Sequence, residues 1–170
     1  ALVEGKPFLE YVLQGLKKSG IDDIIFAVGY KGGMVEEYFG DGSQFGIRAR
    51  YAYEEELLGT AGAIKNAGKY VTDEQFFVLN GDTFYQMDFG DLSRIQQEKN
   101  LEMALVLRGV PDISRYGAAR LSDGLLTAFN EKNGNTGAGT INGGVYLMKR
   151  ALLDEIPEGK VSLENECIPR

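Results

Sequence analysis

The stretch Phe76-Phe77-Val78-Leu79-Asn80-Gly81-Asp82 restricts this chain more than any other. Four consecutive apolar residues suit a strand buried on both faces, as in a parallel sheet covered by helices. The run then breaks into Asn80-Gly81-Asp82, residues that favour a turn. A carboxylate therefore stands just past the carboxyl end of an interior strand, the edge at which open α/β sheets bind ligands. An ordinary strand-ending turn looks the same locally, so its neighbours in the sequence must decide between the two.

Those neighbours alternate helix and strand. Pro7 suits a first helical position, and Phe8, Leu9, Val12, Leu13 and Leu16 form one apolar stripe. Lys17 and Lys18 favour the C-terminal end of that helix, with Gly20 just beyond it. Ile21 to Val28 reads as a buried strand, Met34 to Phe39 as a short helix, and Ile47 to Tyr53 as a second strand. Such an order is the mark of a parallel α/β sheet. After Asp82, Leu92 to Lys99 reads as an amphipathic helix and Met103 to Arg108 as a strand. Tyr116 to Leu121 and Leu125 to Phe129 are then joined by a hairpin turn at Ser122-Asp123-Gly124. A glycine-rich loop, Asn133 to Thr140, leads to the strand Ile141 to Met148, and a last helix begins near Ala151. The fold class expected is a Rossmann-like α/β domain over residues 1–170, its mixed, mostly parallel sheet flanked by helices and more hairpin-like in its second half.

What the chain lacks narrows its chemistry. The 170 residues contain no histidine, and the one cysteine is Cys167. Ser-His and Cys-His nucleophilic pairs are excluded, as are histidine- or cysteine-based zinc sites. Carboxylates, lysines, hydroxyls, backbone groups and an oxygen-loving metal remain, which suits phosphoryl-type transfer, where positioning and charge neutralisation do most of the work. Net charge is 18 − 25 = −7 with no basic run, so a nucleic-acid partner is not expected. No apolar segment approaches the roughly 20 residues of a membrane helix, and a cytoplasmic, membrane-free protein is expected.

One more segment suggests a ligand. Glu54-Glu55-Glu56-Leu57-Leu58-Gly59-Thr60-Ala61-Gly62 places an acidic triplet before small residues that open a helix running to about Tyr70. A glycine-rich helix start lets backbone N–H groups approach an anion or a flat base. A capped helix with Thr60 near its N-cap, behind a solvated acidic loop, accounts for the same residues.

Five separated segments together resemble the sugar-1-phosphate nucleotidyltransferases. They are Gly5-Lys6-Pro7-Phe8-Leu9-Glu10-Tyr11, Leu58-Gly59-Thr60-Ala61-Gly62, Leu79-Asn80-Gly81-Asp82, Tyr116-Gly117 followed by Glu131-Lys132, and Ile141-Asn142-Gly143-Gly144-Val145-Tyr146. The acidic triplet resembles the guanylyltransferase branch, whose members act on mannose 1-phosphate or a manno-heptose 1-phosphate. The resemblance implies attack of a sugar-1-phosphate oxygen on the α-phosphorus of a nucleoside triphosphate, with Mg²⁺ as cofactor and pyrophosphate released. It implies Asp82 as metal ligand and catalytic residue. Gly59, Thr60, Gly62 and Gly81 would line the nucleotide pocket. One of Glu54, Glu55 or Glu56 would accept from guanine, with Glu55 carried forward as the candidate. Glu131 would bind sugar hydroxyls, Lys132 the sugar phosphate as a catalytic point charge, and Gly117 and Asn142 would complete the sugar pocket. Leu57, Leu58 and the aromatic residues suit either a core or an interface, so a homo-oligomer is compatible with the sequence.

The family's glycine-rich phosphate loop would precede Leu2 and its second metal-binding Asp would follow Arg170. The 170 residues are therefore expected to be incomplete at both ends, and inactive if they were the whole protein. Two other functions use much the same residues: a catalytically dead nucleotide-sugar-binding paralogue, and a glycosyltransferase. The latter usually carries an Asp-x-Asp pair, whereas Asp82 is followed by Thr83-Phe84.

Overall fold

A computed structural model describes residues 1–130 and 136–168. A two-residue hairpin, β1 (Leu2–Val3) with β2 (Lys6–Pro7), leads into α1 (Phe8–Lys18). Strand β3 (Asp23–Val28), helix α2 (Gly32–Phe39) and strand β4 (Arg48–Tyr53) follow, and β3 and β4 pair in parallel from Asp23↔Arg48 to Val28↔Tyr53. Helix α3 (Gly59–Gly68) then crosses to β5 (Gln75–Leu79). Beyond α4 (Phe89–Glu98) come β6 (Met103–Val110), the hairpin β7 (Ala118–Ser122) and β8 (Leu125–Asn130), and the long β9 (Gly139–Lys149). A one-turn helix α5 (Leu152–Glu155) and a short π-helical turn at Leu163–Cys167 end the described chain.

Strand β9 is the spine of the second sheet. It pairs antiparallel with β5, β6 and β7. Among the described residues parallel pairing is confined to β3 and β4, in a sheet of their own, and the Phe76–Leu79 strand, expected in a parallel setting, pairs antiparallel with β9. That strand does face two cores. Phe77 and Leu79 join Val145 and Leu147 against α1 and α4, whereas Phe76 and Val78 join Tyr146 and Met148 against α3, α5 and the tail. Period-2 alternation thus sorts one apolar run into two layers of helices, giving an α/β/α arrangement. Every residue of β5 is only half-buried, because among the described residues the strand has a partner on one side alone.

Local chemistry explains most element ends. The Asp88 carboxylate accepts from the Gly90 N–H and caps α4. In the hairpin between β7 and β8, Asp123 and Gly124 both take positive φ, 52° and 76°, as a tight turn matched to strand twist requires. Helix α3 begins at Gly59 with no side-chain cap, so Thr60 sits inside the first turn and not at the N-cap.

Candidate active site

Strand directions gather Asp82, Gly117 and Asn142 at one edge of the β9 sheet. β5 runs out at Leu79, paired with Val145, so the first half of β9 extends beyond it. Gly144 O accepts from the Asn80 N–H (2.8 Å), tying the Asn80–Asp82 turn to β9. Ala118 pairs with Ile141, which brings the start of β7, with Gly117 just before it, beside Asn142.

Asp82 lies exposed in that turn, and among the described residues its side chain accepts only from the Thr83 hydroxyl, at 3.3 Å. Gly81 faces open space: a Cβ there would have only a Leu9 methyl within reach, at 3.9 Å. An exposed carboxylate with free lone pairs suits a hard cation such as Mg²⁺, which keeps waters and substrate oxygens and takes one or two protein carboxylates. Among the described residues no group of three or more His, Cys, Asp or Glu gathers to form a closed cation cage. As a single open carboxylate, Asp82 suits a cation site that substrate oxygens and water would complete.

At the start of α3, Glu54 Oε2 accepts from the Leu58 N–H (3.1 Å), shaping the turn, while Glu55 and Glu56 stay exposed. The glycines here have a packing role that the sequence did not reveal. Gly59 has φ +70°, and a Cβ on it would stand 2.6 Å from the Val161 carbonyl oxygen. A Cβ on Gly62 would stand 2.3 Å from that of Gly159. The Ala61 and Gly62 N–H groups both donate to Val161 O (3.0 and 3.4 Å), and Val161 N–H returns a bond to Leu58 O (2.8 Å). Part of the helix's N-terminal donor set is thus spent on the tail. Thr60 is half-buried and Gly62 buried.

Asn142 belongs to a closed network. Its Oδ1 accepts from the Gly144 N–H (2.9 Å), and its Nδ2 donates to the Tyr146 hydroxyl and, at 3.4 Å, to Glu164 Oε1. The Tyr146 hydroxyl donates to Glu164 Oε1 in turn, at 2.9 Å. Burial pushes that hydroxyl well above the ordinary tyrosine range; the Asn142 amide pulls it back and the Glu164 carboxylate raises it further. It remains a donor at physiological pH. Among the described residues Glu164 Oε2 meets only a long contact from the Ser162 hydroxyl (3.4 Å), so this half-buried carboxylate keeps acceptor capacity, whereas both amide protons of Asn142 are engaged.

Glu164 is the residue that sequence reasoning passed over. Its signal was faint, one carboxylate among Glu164-Asn165-Glu166, and its significance comes from a contact with a distant strand. Glu131 and Lys132 lie outside the described residues. The other candidates fall into two groups, the acidic turn with Gly59–Gly62 after β4 of one sheet and Gly117 with Asn142 on the other sheet, where Asp82 is tied to β9.

The comparisons with known proteins bear on the family and the fold. The family model described as nucleotidyl transferase matches residues 1–167. The chain is 37% identical over 171 aligned residues to the D-glycero-alpha-D-manno-heptose 1-phosphate guanylyltransferase of Aneurinibacillus thermoaerophilus, spanning 100% of this chain and 74% of that protein. It is 40% identical to the enzyme of the same name from Campylobacter jejuni, over 91% of this chain and 67% of that one. The mannose-1-phosphate guanylyltransferase of Mycobacterium tuberculosis is 33% identical, this chain spanning 46% of its length. Among solved structures, HddC from Yersinia pseudotuberculosis superposes with a TM-score of 0.87 at 30% identity, covering 100% of this chain and 75% of that one. A second structure of HddC, complexed with GMP-PN, gives 0.86 at the same identity and coverage.

Proposed function

This chain belongs to the nucleotidyl transferase family, and from that premise we propose that its intact protein joins GTP and a manno-configured sugar 1-phosphate into a GDP-sugar, releasing pyrophosphate. The observation that carries the proposal is the bridging of two candidate groups by the tail, whose Val161 pairs with Leu58 and Ala61 and whose Glu164 meets Tyr146 and Asn142. The acidic turn and the start of α3 lie at one end of that tail and the Asn142–Tyr146–Glu164 cluster at the other, with the open carboxylate of Asp82 held to β9 through Asn80. The guanylyltransferase names of the relatives, and the GMP-PN complex of HddC, support guanine as the base.

In the reaction a sugar-phosphate oxygen attacks the α-phosphorus. The new P–O bond forms as the α–β bridging P–O bond breaks, and its electron pair leaves with pyrophosphate. The nucleophile is already an anion, so no base is needed, in keeping with a sequence that contains no histidine. Asp82 would hold Mg²⁺, which when bound supplies charge neutralisation and in-line templating. Glu55 or Glu56 would accept from the guanine ring N–H and amino group, since Glu54 already serves Leu58. Gly59, Thr60, Gly62 and Gly81 would border the nucleotide. On the sugar side, Glu164 Oε2 would accept from a hydroxyl together with Glu131, while Asn142 holds Glu164 and Gly117 flanks the pocket. Lys132 would meet the sugar phosphate. A GDP-sugar serves glycan synthesis, and a cytoplasmic location near the nucleotide pool fits it; no described helix is long and apolar enough to cross a membrane.

The test is pyrophosphate release by the intact gene product with Mg²⁺, each nucleoside triphosphate and a panel of sugar 1-phosphates. Release with GTP and mannose or manno-heptose 1-phosphate is expected. Release with another nucleotide alone would overturn the base assignment, and release with none would leave a binding paralogue.

A further inference from the structure

The segment from Ile156 to Glu164 touches both sides of the site, and its fastenings are visible. Its middle is paired with the start of α3 in both directions, Val161 N–H to Leu58 O and Ala61 N–H to Val161 O. Its backbone lies so close that only glycine fits at 59 and 62 without displacement. Its far end delivers Glu164 to Tyr146 and Asn142. Its near end is held by one side chain: Lys65 Nζ, from the middle of α3, donates to Ile156 O at 2.6 Å and pairs with Glu158 at 3.2 Å. Beneath it, Ile156, Val161 and Leu163 are buried against Ala61, Ile64 and Tyr146. Glu158 is 87% exposed, so that ion pair adds little, whereas the Ile156 carbonyl is fixed by a charge-assisted hydrogen bond.

We infer that this segment is a strap that sets the start of α3 and the Glu164 carboxylate relative to each other, and that Lys65 is the positioning residue that fastens it. A ligand that orders Leu58–Gly62 then pre-orders Glu164, and the reverse holds equally, because a coupling free energy between two sites is reciprocal. Lys65 touches neither ligand. Its effect lies in how strongly each ligand helps the other. The inference rests on the function proposed above, through the assignment of one end of the strap to nucleotide and the other to sugar.

The experiment is calorimetric titration of the intact protein with a non-hydrolysable GTP analogue, with and without the sugar 1-phosphate that supports turnover. In the unaltered protein each ligand is expected to tighten the other by roughly 5-fold or more. In Lys65→Met that factor should fall towards one while each single-ligand affinity moves less, and Lys65→Arg should restore it. A merely structural lysine would instead lower the melting temperature and leave the factor intact, which would overturn the inference, as would a factor near one in the unaltered protein. Hydrogen exchange, which needs no variant, gives a second test: sugar 1-phosphate alone should slow exchange of the Ala61 and Val161 amides. Unchanged exchange with the sugar phosphate bound would sink the strap but spare the proposed function, whereas failure to bind either ligand would sink both.

Discussion

Asp82 and Asn142 share one edge of the sheet and use their polar atoms in opposite ways. Among the described residues Asp82 has a single long contact, from a neighbouring hydroxyl, and is otherwise open to solvent. Asn142 is engaged through both ends of its amide, by Gly144, Tyr146 and Glu164. The amide protons of Asn142 can meet a ligand only by breaking a bond they make, at about 1–3 kcal/mol for a buried partner left unmade. An open carboxylate costs the fold nothing to engage. Under the proposed function the contrast separates two kinds of site residue: those that would touch the ligand and those that would hold what touches it.

The largest expected effect tests the open side. Asp82→Ala should cut pyrophosphate release by at least roughly 100-fold, the scale for losing one transition-state charge contact, with the melting temperature unchanged. A variant that melts early would break the comparison, since Asp82 would then be holding the fold. Next comes the closed side. Tyr146→Phe removes the donor to Glu164 and a partner of Asn142, so stability should drop by about 1–3 kcal/mol in denaturant titration. The KM for sugar phosphate should rise more than that for nucleotide. Equal rises would move Glu164 away from the sugar.

The smallest effect concerns a third carboxylate, on the first helix. Glu10 in α1 is only 7% exposed; its hydrogen bond from Lys6 (2.9 Å), and then that from the Tyr38 hydroxyl (2.8 Å), hold it below the usual carboxylate range. A depressed native value means its stabilisation is complete above the unfolded value, about 4.3, and is lost as pH falls through the native one. Melting temperature followed from neutral to acid pH should therefore fall less steeply in Glu10→Gln, the two proteins converging at the acid end. Parallel curves would remove Glu10 from the acid response.

Where the sequence was legible, the cause was local. The Phe8–Leu16 stripe and the lysines after it bound α1, Asp123-Gly124 turns its hairpin, and Asp82 emerges where a buried run breaks into turn residues. Where it was not, the cause was a partner far along the chain. Gly59 and Gly62 read as room for a ligand, but the nearest atoms to them are carbonyls of Gly159 and Val161. The antiparallel ladder of β5 was hidden because an apolar strand that faces two cores shows no alternation to betray its pairing. Glu164 was hidden because only the return of the tail to β9 brings it against Tyr146.

The half-paired strands carry one more implication. Among the described residues β3 hydrogen-bonds only to β4, and β5 only to β9, so each keeps a row of backbone donors and acceptors on its other side. The sequences along those rows, Ile24-Ile25-Phe26-Ala27-Val28 and Phe76-Phe77-Val78-Leu79, hold no charge, proline or glycine to repel a newcomer. Wherever these rows are laid bare by partial opening, they are templates for intermolecular cross-β pairing.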